Sequence, residues 1–148
     1  MDYDVVIIGA GVVGLAVAKE LAETSTKTVL VIDKEARFGQ GISSRNSEVI
    51  HSGIYYPPDS LKALFCNRGR ELIYDFCKKY HIWHNQCGKL VIAEENQQND
   101  LEQLYNRSKE NDVPDTRIIN QKELSILEPH IRGNGALFVS CTGIHVRP

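Results

Sequence analysis

Val5 to Ile8 is a run of four consecutive apolar β-branched residues, followed by Gly9-Ala10-Gly11 and then by apolar positions at helical spacing from Val12 to about Glu23. That order predicts strand, tight turn and helix. Thr28 to Asp33 is a second apolar run without alternation, the pattern of a strand covered on both faces in a parallel sheet, so the intervening helix must be a crossover. Residues 34–44 read as loop, and Ser44 to His51 as a short helix capped by one of the serines. Asp59 or Ser60 opens a longer helix, with Leu61, Leu64, Phe65, Leu72, Ile73, Phe76 and Tyr80 as its expected buried face. Beyond it the pattern gives a strand over Gly88 to Ala93 and a polar helix over Gln97 to Asn111 with Leu101, Leu104 and Tyr105 inward. A short strand over Thr116 to Ile119 follows, then a capping box at Asn120 to Glu123 opening a helix that Pro129 closes, and a strand over Ala136 to Ser140. There is no internal repeat, and only Tyr56-Pro57-Pro58-Asp59 resembles a linker.

The fold class expected is α/β: a Rossmann-like βαβ unit in an incomplete doubly wound sheet, because no further clean βαβ unit follows Asp33. The chain stops directly after a strand, so its 148 residues are expected to be an amino-terminal fragment or truncated product. Composition changes this picture little, with 42% hydrophobic and 24% charged residues, ordinary for a folded domain. The net charge of -2 comes with scattered Lys and Arg. No basic stripe is available to displace phosphate counterions, which excludes a nucleic-acid partner. Cys66, Cys77, Cys87 and Cys141 lack C-x-x-C spacing and point to a reducing compartment, with Cys66 and Cys77 as small fillers on one helix face. His81, His84, His130 and His145 have no ligand spacing, so no metal is expected. The longest apolar run, Val5 to Ala18, is interrupted by glycines and too short to span a bilayer, and the first residues carry no signal-peptide charge. A cytoplasmic protein is expected, with peripheral attachment at the inner membrane face left open.

Gly9-Ala10-Gly11-Val12-Val13-Gly14 is a G-x-G-x-x-G between a predicted strand and a predicted helix, the context its mechanism demands. Gly9 permits the tight turn, Gly11 lets backbone approach a pyrophosphate, and Gly14, with Ala18 a turn later, keeps helix and strand close. The free amides at the helix start then face the phosphates. Asp33, nineteen residues after Gly14, is placed to accept hydrogen bonds from the adenosine ribose and disfavours a 2'-phosphorylated cofactor. Spacing alone leaves NAD and FAD open. Residues 39–47, Gly-Gln-Gly-Ile-Ser-Ser-Arg-Asn-Ser, offer amides, hydroxyls and a cation as a second cradle that suits the longer FAD.

The segment from Ser43 through Arg45, His51, Gly53 and Tyr55 to Pro57 resembles the flavin-contacting segment of the L-2-hydroxyglutarate dehydrogenases and oxidases, of the FAD-dependent D-amino-acid-oxidase-like superfamily. The likeness continues through Ser60 to Ala63, Cys87 to Ala93, and Glu128-Pro129 to Thr142-Gly143-Ile144, and departs over the last four residues, His145 to Pro148. A shorter likeness links Ser43-Ser44-Arg45 to flavin-dependent glycerol-3-phosphate dehydrogenases. The resemblance implies that residues 1–85 are the first part of an FAD domain and residues 86–148 the beginning of an α+β substrate domain. It implies FAD contacts from Gly9, Gly11, Val12, Val13, Gly14, Asp33, Lys34, Ser43, Ser44, Arg45, Asn46 and Ser47.

The implied reaction is oxidation of a small 2-hydroxy acid, L-2-hydroxyglutarate to 2-oxoglutarate, with hydride passing to flavin N5 and then to oxygen or a quinone. His51 is the expected base, since imidazole titrates near neutrality; it could equally orient the flavin or cap a helix end, and the base can also lie beyond this chain. Tyr55 is expected to line the substrate pocket and Tyr56 to pack, or the reverse. Arg45 suits a phosphate. Lys89, beside Gly88 at a strand start, reads as an exposed strand-end lysine, with reach to a dicarboxylate as the alternative. The competing expectations are a flavoenzyme for glycerol 3-phosphate or an amino acid, an NAD-dependent dehydrogenase, and an inert fragment.

Overall fold

The structure, a computed structural model, describes residues 2–145. The chain gathers into two compact units, residues 1–47 and 48–148.

In the first unit, β1 (Val5–Ile8) and β2 (Val29–Ile32) pair in parallel, Val5 opposite Val29 and Ile8 opposite Ile32. Two parallel neighbours need a crossover, supplied by α1 (Val12–Thr24), which packs against both strands. Coverage on both faces was expected of these strands; within the described chain α1 leaves Val6, Ile8 and Ile32 exposed and the other residues of both strands half-buried.

The short helix expected over Ser44 to His51 does not form. Its place is taken by a 3-10 turn, Ile42–Ser44, and a two-residue strand, β3 (Val49–Ile50). Two local causes are visible. Glu48 has φ 58°, which interrupts any right-handed helix, and the Ser44 hydroxyl donates back to the carbonyls of Gly41 and Gln40 rather than capping a helix. The β-branched pair at 49–50 instead joins β8 (Gly143–His145), which pairs antiparallel on its other edge with β4 (His84–Asn85). These three strands come from widely separated stretches, and the hydrophobic pattern signals none of them.

The second half of this unit follows the sequence pattern closely. Strands β5 (Lys89–Ala93), β6 (Thr116–Asn120) and β7 (Gly135–Val139) form an antiparallel sheet in the order β5-β7-β6. Helix α3 (Gln98–Glu110) buries Leu101 against it, with Leu104 and Tyr105 packed beside. Helix α4 (Gln121–Leu127) opens with the reciprocal Asn120–Glu123 capping box and buries Leu124 beside Ile119 and Ala136. The main core joins Ala93, Leu101, Val113, Leu137, Val139 and Cys141 to Ile54, so the loop after β3 is anchored directly in it.

Helix α2 (Leu61–Lys79) starts at Ser60, whose hydroxyl accepts from the Ala63 amide. Its buried face is a correction to the sequence pattern: Ala63, Arg70, Tyr74 and Cys77 face inward, while the expected stripe is exposed except for Ile73. The reason is what the helix meets. Its neighbours are loop backbone at Ser52 and Cys141, whose carbonyls take hydrogen bonds from Arg70 (3.4 Å) and Tyr74 (3.1 Å). The cysteines are all free thiols; Cys77 is buried, while Cys66 is half-buried and donates to the His51 carbonyl.

Leu137, fully buried in the main core, should cost about 2–5 kcal/mol when changed to alanine. Leu64, on the exposed stripe, should cost within about 0.5 kcal/mol. Chemical denaturation of the two variants checks the inverted face of α2, because equal losses would contradict it.

Candidate functional site

The glycine turn of the first unit is held from three sides. Gly9, with φ 110°, donates its amide to the carbonyl of Ile32 at 2.7 Å, which ties the turn to the end of β2. The Ala10 amide donates to Asp33 Oδ2 at 2.6 Å, and the Ala10 carbonyl accepts from the Gly39 amide at 2.9 Å. A Cβ on Gly14 would overlap the Gly9 carbonyl oxygen and lie 3.3 Å from Ile7 Cγ2, so a side chain there would push α1 off β1. The helix start has Gly11 as its cap residue, with no side-chain cap from it and no acid in the first turn. Its positive end is therefore not already neutralised by its own side chains.

Asp33 occupies the end of β2 as the sequence predicts, but it does more than was expected of it. Its other oxygen, Oδ1, accepts from the Glu35 amide at 2.9 Å. The Glu35 and Ala10 amides hold the carboxyl below the usual carboxylate range, and Lys34 adds to the effect. Two backbone bonds leave further lone pairs on an exposed carboxylate, so it can still accept from a ribose hydroxyl.

The 39–47 segment is brought to the same turn. Ser43 Oγ accepts from the Val12 amide at 2.9 Å and lies 3.2 Å from where a Cβ on Gly11 would sit. Asn46 folds back, its Nδ2 donating to the Ser43 carbonyl at 2.9 Å. Arg45 and Ser47 are exposed, and Lys34 is exposed with Nζ 3.8 Å from Glu35. A turn with positive φ at Gly9, and with no room for a Cβ on Gly14 at the start of the helix, fits a dinucleotide diphosphate.

The second unit holds a small cleft lined by residues 51–56, Lys89 and Thr142. The segment Ser52-Gly53-Ile54 is buried, while Tyr55 stays partly exposed at its tip. Its shape is fixed by a polar set the sequence did not reveal. Asn111, at the end of α3, donates through Nδ2 to the carbonyls of Gly53 (3.0 Å) and Tyr56 (2.9 Å). Asn67 donates to the Asn111 carbonyl and accepts from the buried Arg70 at 2.7 Å. Lys89 departs from the exposed strand-end reading: it is half-buried, with Nζ 4.4 Å from the centre of the Tyr55 ring. The cleft thus brings together His51, Tyr55, Tyr56 and Lys89, which the sequence singled out, with Thr142, which it did not.

A glycine turn clamped by the acid that follows the second strand, at a helix start whose cap residue is a glycine, defines a dinucleotide-binding unit. Residues 4–148 match the family described as FAD dependent oxidoreductase, and the chain belongs to that family, whose cofactor is FAD. It is 47% identical to the mitochondrial L-2-hydroxyglutarate dehydrogenase of Arabidopsis thaliana over 95% of this chain and 29% of that protein. To the mitochondrial L-2-hydroxyglutarate dehydrogenase of Homo sapiens it is 41% identical, over 97% of this chain and 31% of that one. The chain thus spans about a third of the length of these curated relatives. Among solved structures it is similar to the dithionite-reduced L-alpha-glycerophosphate oxidase of Mycoplasma pneumoniae with FAD bound, at TM-score 0.87 and 27% identity, covering 98% of this chain and 39% of that one. A glycine oxidase from Geobacillus kaustophilus shares the fold at TM-score 0.82 and 23% identity, covering 97% and 40%. Among the described residues, no helix is long and apolar enough to cross a membrane.

Because its bonds depress the folded-state pKa of Asp33, the stability it contributes is present above the usual carboxylate range and is lost as pH falls through the lowered value. Asp4, held likewise by Thr28, acts in the same direction. Acid titration of unfolding should therefore show Asp33→Asn less stable at neutral pH and less acid-sensitive than the parent, with part of the dependence remaining through Asp4. An unchanged acid limb would contradict the role of Asp33. Gly14→Ala should lower bound FAD at least tenfold, read as flavin absorbance per chain after gel filtration.

Proposed function

We propose that this chain is the amino-terminal part of an FAD-dependent enzyme that oxidises a small 2-hydroxy acid, L-2-hydroxyglutarate to 2-oxoglutarate. The carrying observation is a cleft that sets an imidazole, a phenol and a half-buried ammonium together, in a chain similar along nearly its whole length to proteins named for that substrate. Residues 1–85 then form the first part of the FAD domain, and residues 86–148 begin the substrate domain.

In this reading the amides of Gly11, Val13 and Gly14 hold the diphosphate of FAD at the positive end of α1, while Val12 keeps its amide on Ser43 Oγ and ties the 39–47 segment to the same site. Gly9 shapes the turn, and Asp33 accepts from the ribose while fixing the Ala10 amide. Ser43, Ser44, Asn46 and Ser47 supply hydroxyl, amide and backbone groups on the loop closing over the same turn, and Lys34 and Arg45 supply cations for the phosphates. FAD, when bound, provides the acceptor for the hydride that leaves C2 of the substrate. His51 takes the proton of the C2 hydroxyl as general base. Tyr55 lines the cleft and is held by its contact with Lys89. A complete turnover also needs an electron acceptor, oxygen or a quinone.

One observation favours a second reading. Similarity to a glycerophosphate oxidase structure, at TM-score 0.87, suits glycerol 3-phosphate as substrate. Anaerobic titration of the full protein separates the two: L-2-hydroxyglutarate should bleach the flavin and glycerol 3-phosphate should leave it yellow. The reverse result would replace the first reading by the second, and colourless protein would sink both. His51→Asn should lower kcat by roughly 10²–10⁴-fold with flavin content unchanged; a variant as fast as the parent would remove His51 from the base role.

A further inference from the structure

We infer that Lys89 and Thr142 form a carboxylate-binding corner in the cleft beside Tyr55, and that this corner is the specificity element for an acidic substrate. The inference rests on the proposed oxidation of a 2-hydroxy acid and assigns residues to the recognition of its charge.

Two independent observations point to a missing anion. Thr142 is 3% exposed, lines the cleft, and its Oγ1 is buried without a hydrogen-bond partner. A buried hydroxyl left unpaired costs about 1–3 kcal/mol, so such groups are normally satisfied. Lys89, half-buried in the same cleft, has no carboxylate of the described residues within ion-pair distance. Its charge lies over the Tyr55 ring at 4.4 Å, a contact that orients the ammonium without neutralising it. The backbone holds the two residues as a pair: the Gly88 amide, immediately before Lys89, donates to the Thr142 carbonyl at 2.9 Å. An ammonium and a hydroxyl donor that line one cleft, neither with an acceptor among the described residues, match a carboxylate. On the other side of the cleft, Tyr55 and Tyr56 ride on the turn that Asn111 holds in place. The corner is therefore set by two stretches of the same unit, and the cleft between them, about 10 Å³, widens to admit a carboxylate.

The test uses the flavin-loaded full protein and glutarate, a dicarboxylate with no hydroxyl to oxidise, titrated by calorimetry. Lys89→Met should weaken glutarate at least tenfold, and Thr142→Val severalfold. Lys89→Arg and Thr142→Ser should retain most of the affinity, and flavin content should match the parent throughout. Parent protein that does not bind glutarate, or Lys89→Met and Thr142→Val that bind it as the parent does, would overturn the corner. Reduction of the parent flavin by L-2-hydroxyglutarate is measured separately. Reduction without dependence of binding on Lys89 defeats the corner alone, and glutarate binding through Lys89 without reduction defeats the substrate reading while the corner stands.

Discussion

The hydrogen bond from the Ala10 amide to Asp33 at 2.6 Å, beside that from the Gly9 amide to the Ile32 carbonyl, ties the glycine turn to the end of β2 at the point where function is expected. It fixes the glycine turn against the end of β2, and so fixes the direction in which the first turn of α1 presents its amides. Gly14 makes that geometry possible, since any side chain there would strike the Gly9 carbonyl and lift the helix from the strand. The constraint explains why the acid belongs at the end of β2: it closes the turn with part of its acceptor capacity and keeps the rest for a ligand. The Gly39 amide on the Ala10 carbonyl and the Ser43 hydroxyl on the Val12 amide extend the same clamp to the following loop.

The second unit solves a different problem, holding an irregular loop still beside a sheet. Segment 51–56 carries the imidazole and both phenols, yet apart from its end against β3 it lies in no regular element. Ile54 inserted in the core supplies the apolar anchor, Asn111 and Arg70 satisfy its backbone carbonyls, and Asn67 links those two residues to each other. Arg70 is almost wholly buried and, among the described residues, has only the exposed Glu71, at 4.0 Å, as an ion partner. Its guanidinium is therefore compensated chiefly by neutral acceptors, an arrangement that serves a fixed loop geometry better than it serves stability.

Elements with strong local signals were legible from the residues alone. The apolar run and glycines of the βαβ unit, the Asn120–Glu123 capping box and the inward stripe of α3 each carry their own spacing, and each forms where the spacing places it. The strands β3, β4 and β8 were not legible, because two or three residues cannot show a period and their pairing joins positions almost a hundred residues apart. The inward face of α2 was misread for a related reason: apolar periodicity reports a face that can be buried, whereas this helix buries Arg70 and Tyr74 to reach loop carbonyls. In the sites, the glycines, Asp33, His51 and Tyr55 were visible because their residue types in that order carry chemistry. Asn111 and Thr142 gave no such sign, since an asparagine ending a helix and a threonine in a turn are ordinary, and only the contacts distinguish them.

A crystal structure of the protein with FAD bound bears most directly on the clamp between Asp33 and the glycine turn. The diphosphate should lie against the amides of Gly11 to Val13, with the ribose on an Asp33 that still holds the Ala10 amide. A diphosphate bound away from α1, or an Asp33 that releases Ala10 and turns from the nucleotide, would contradict it.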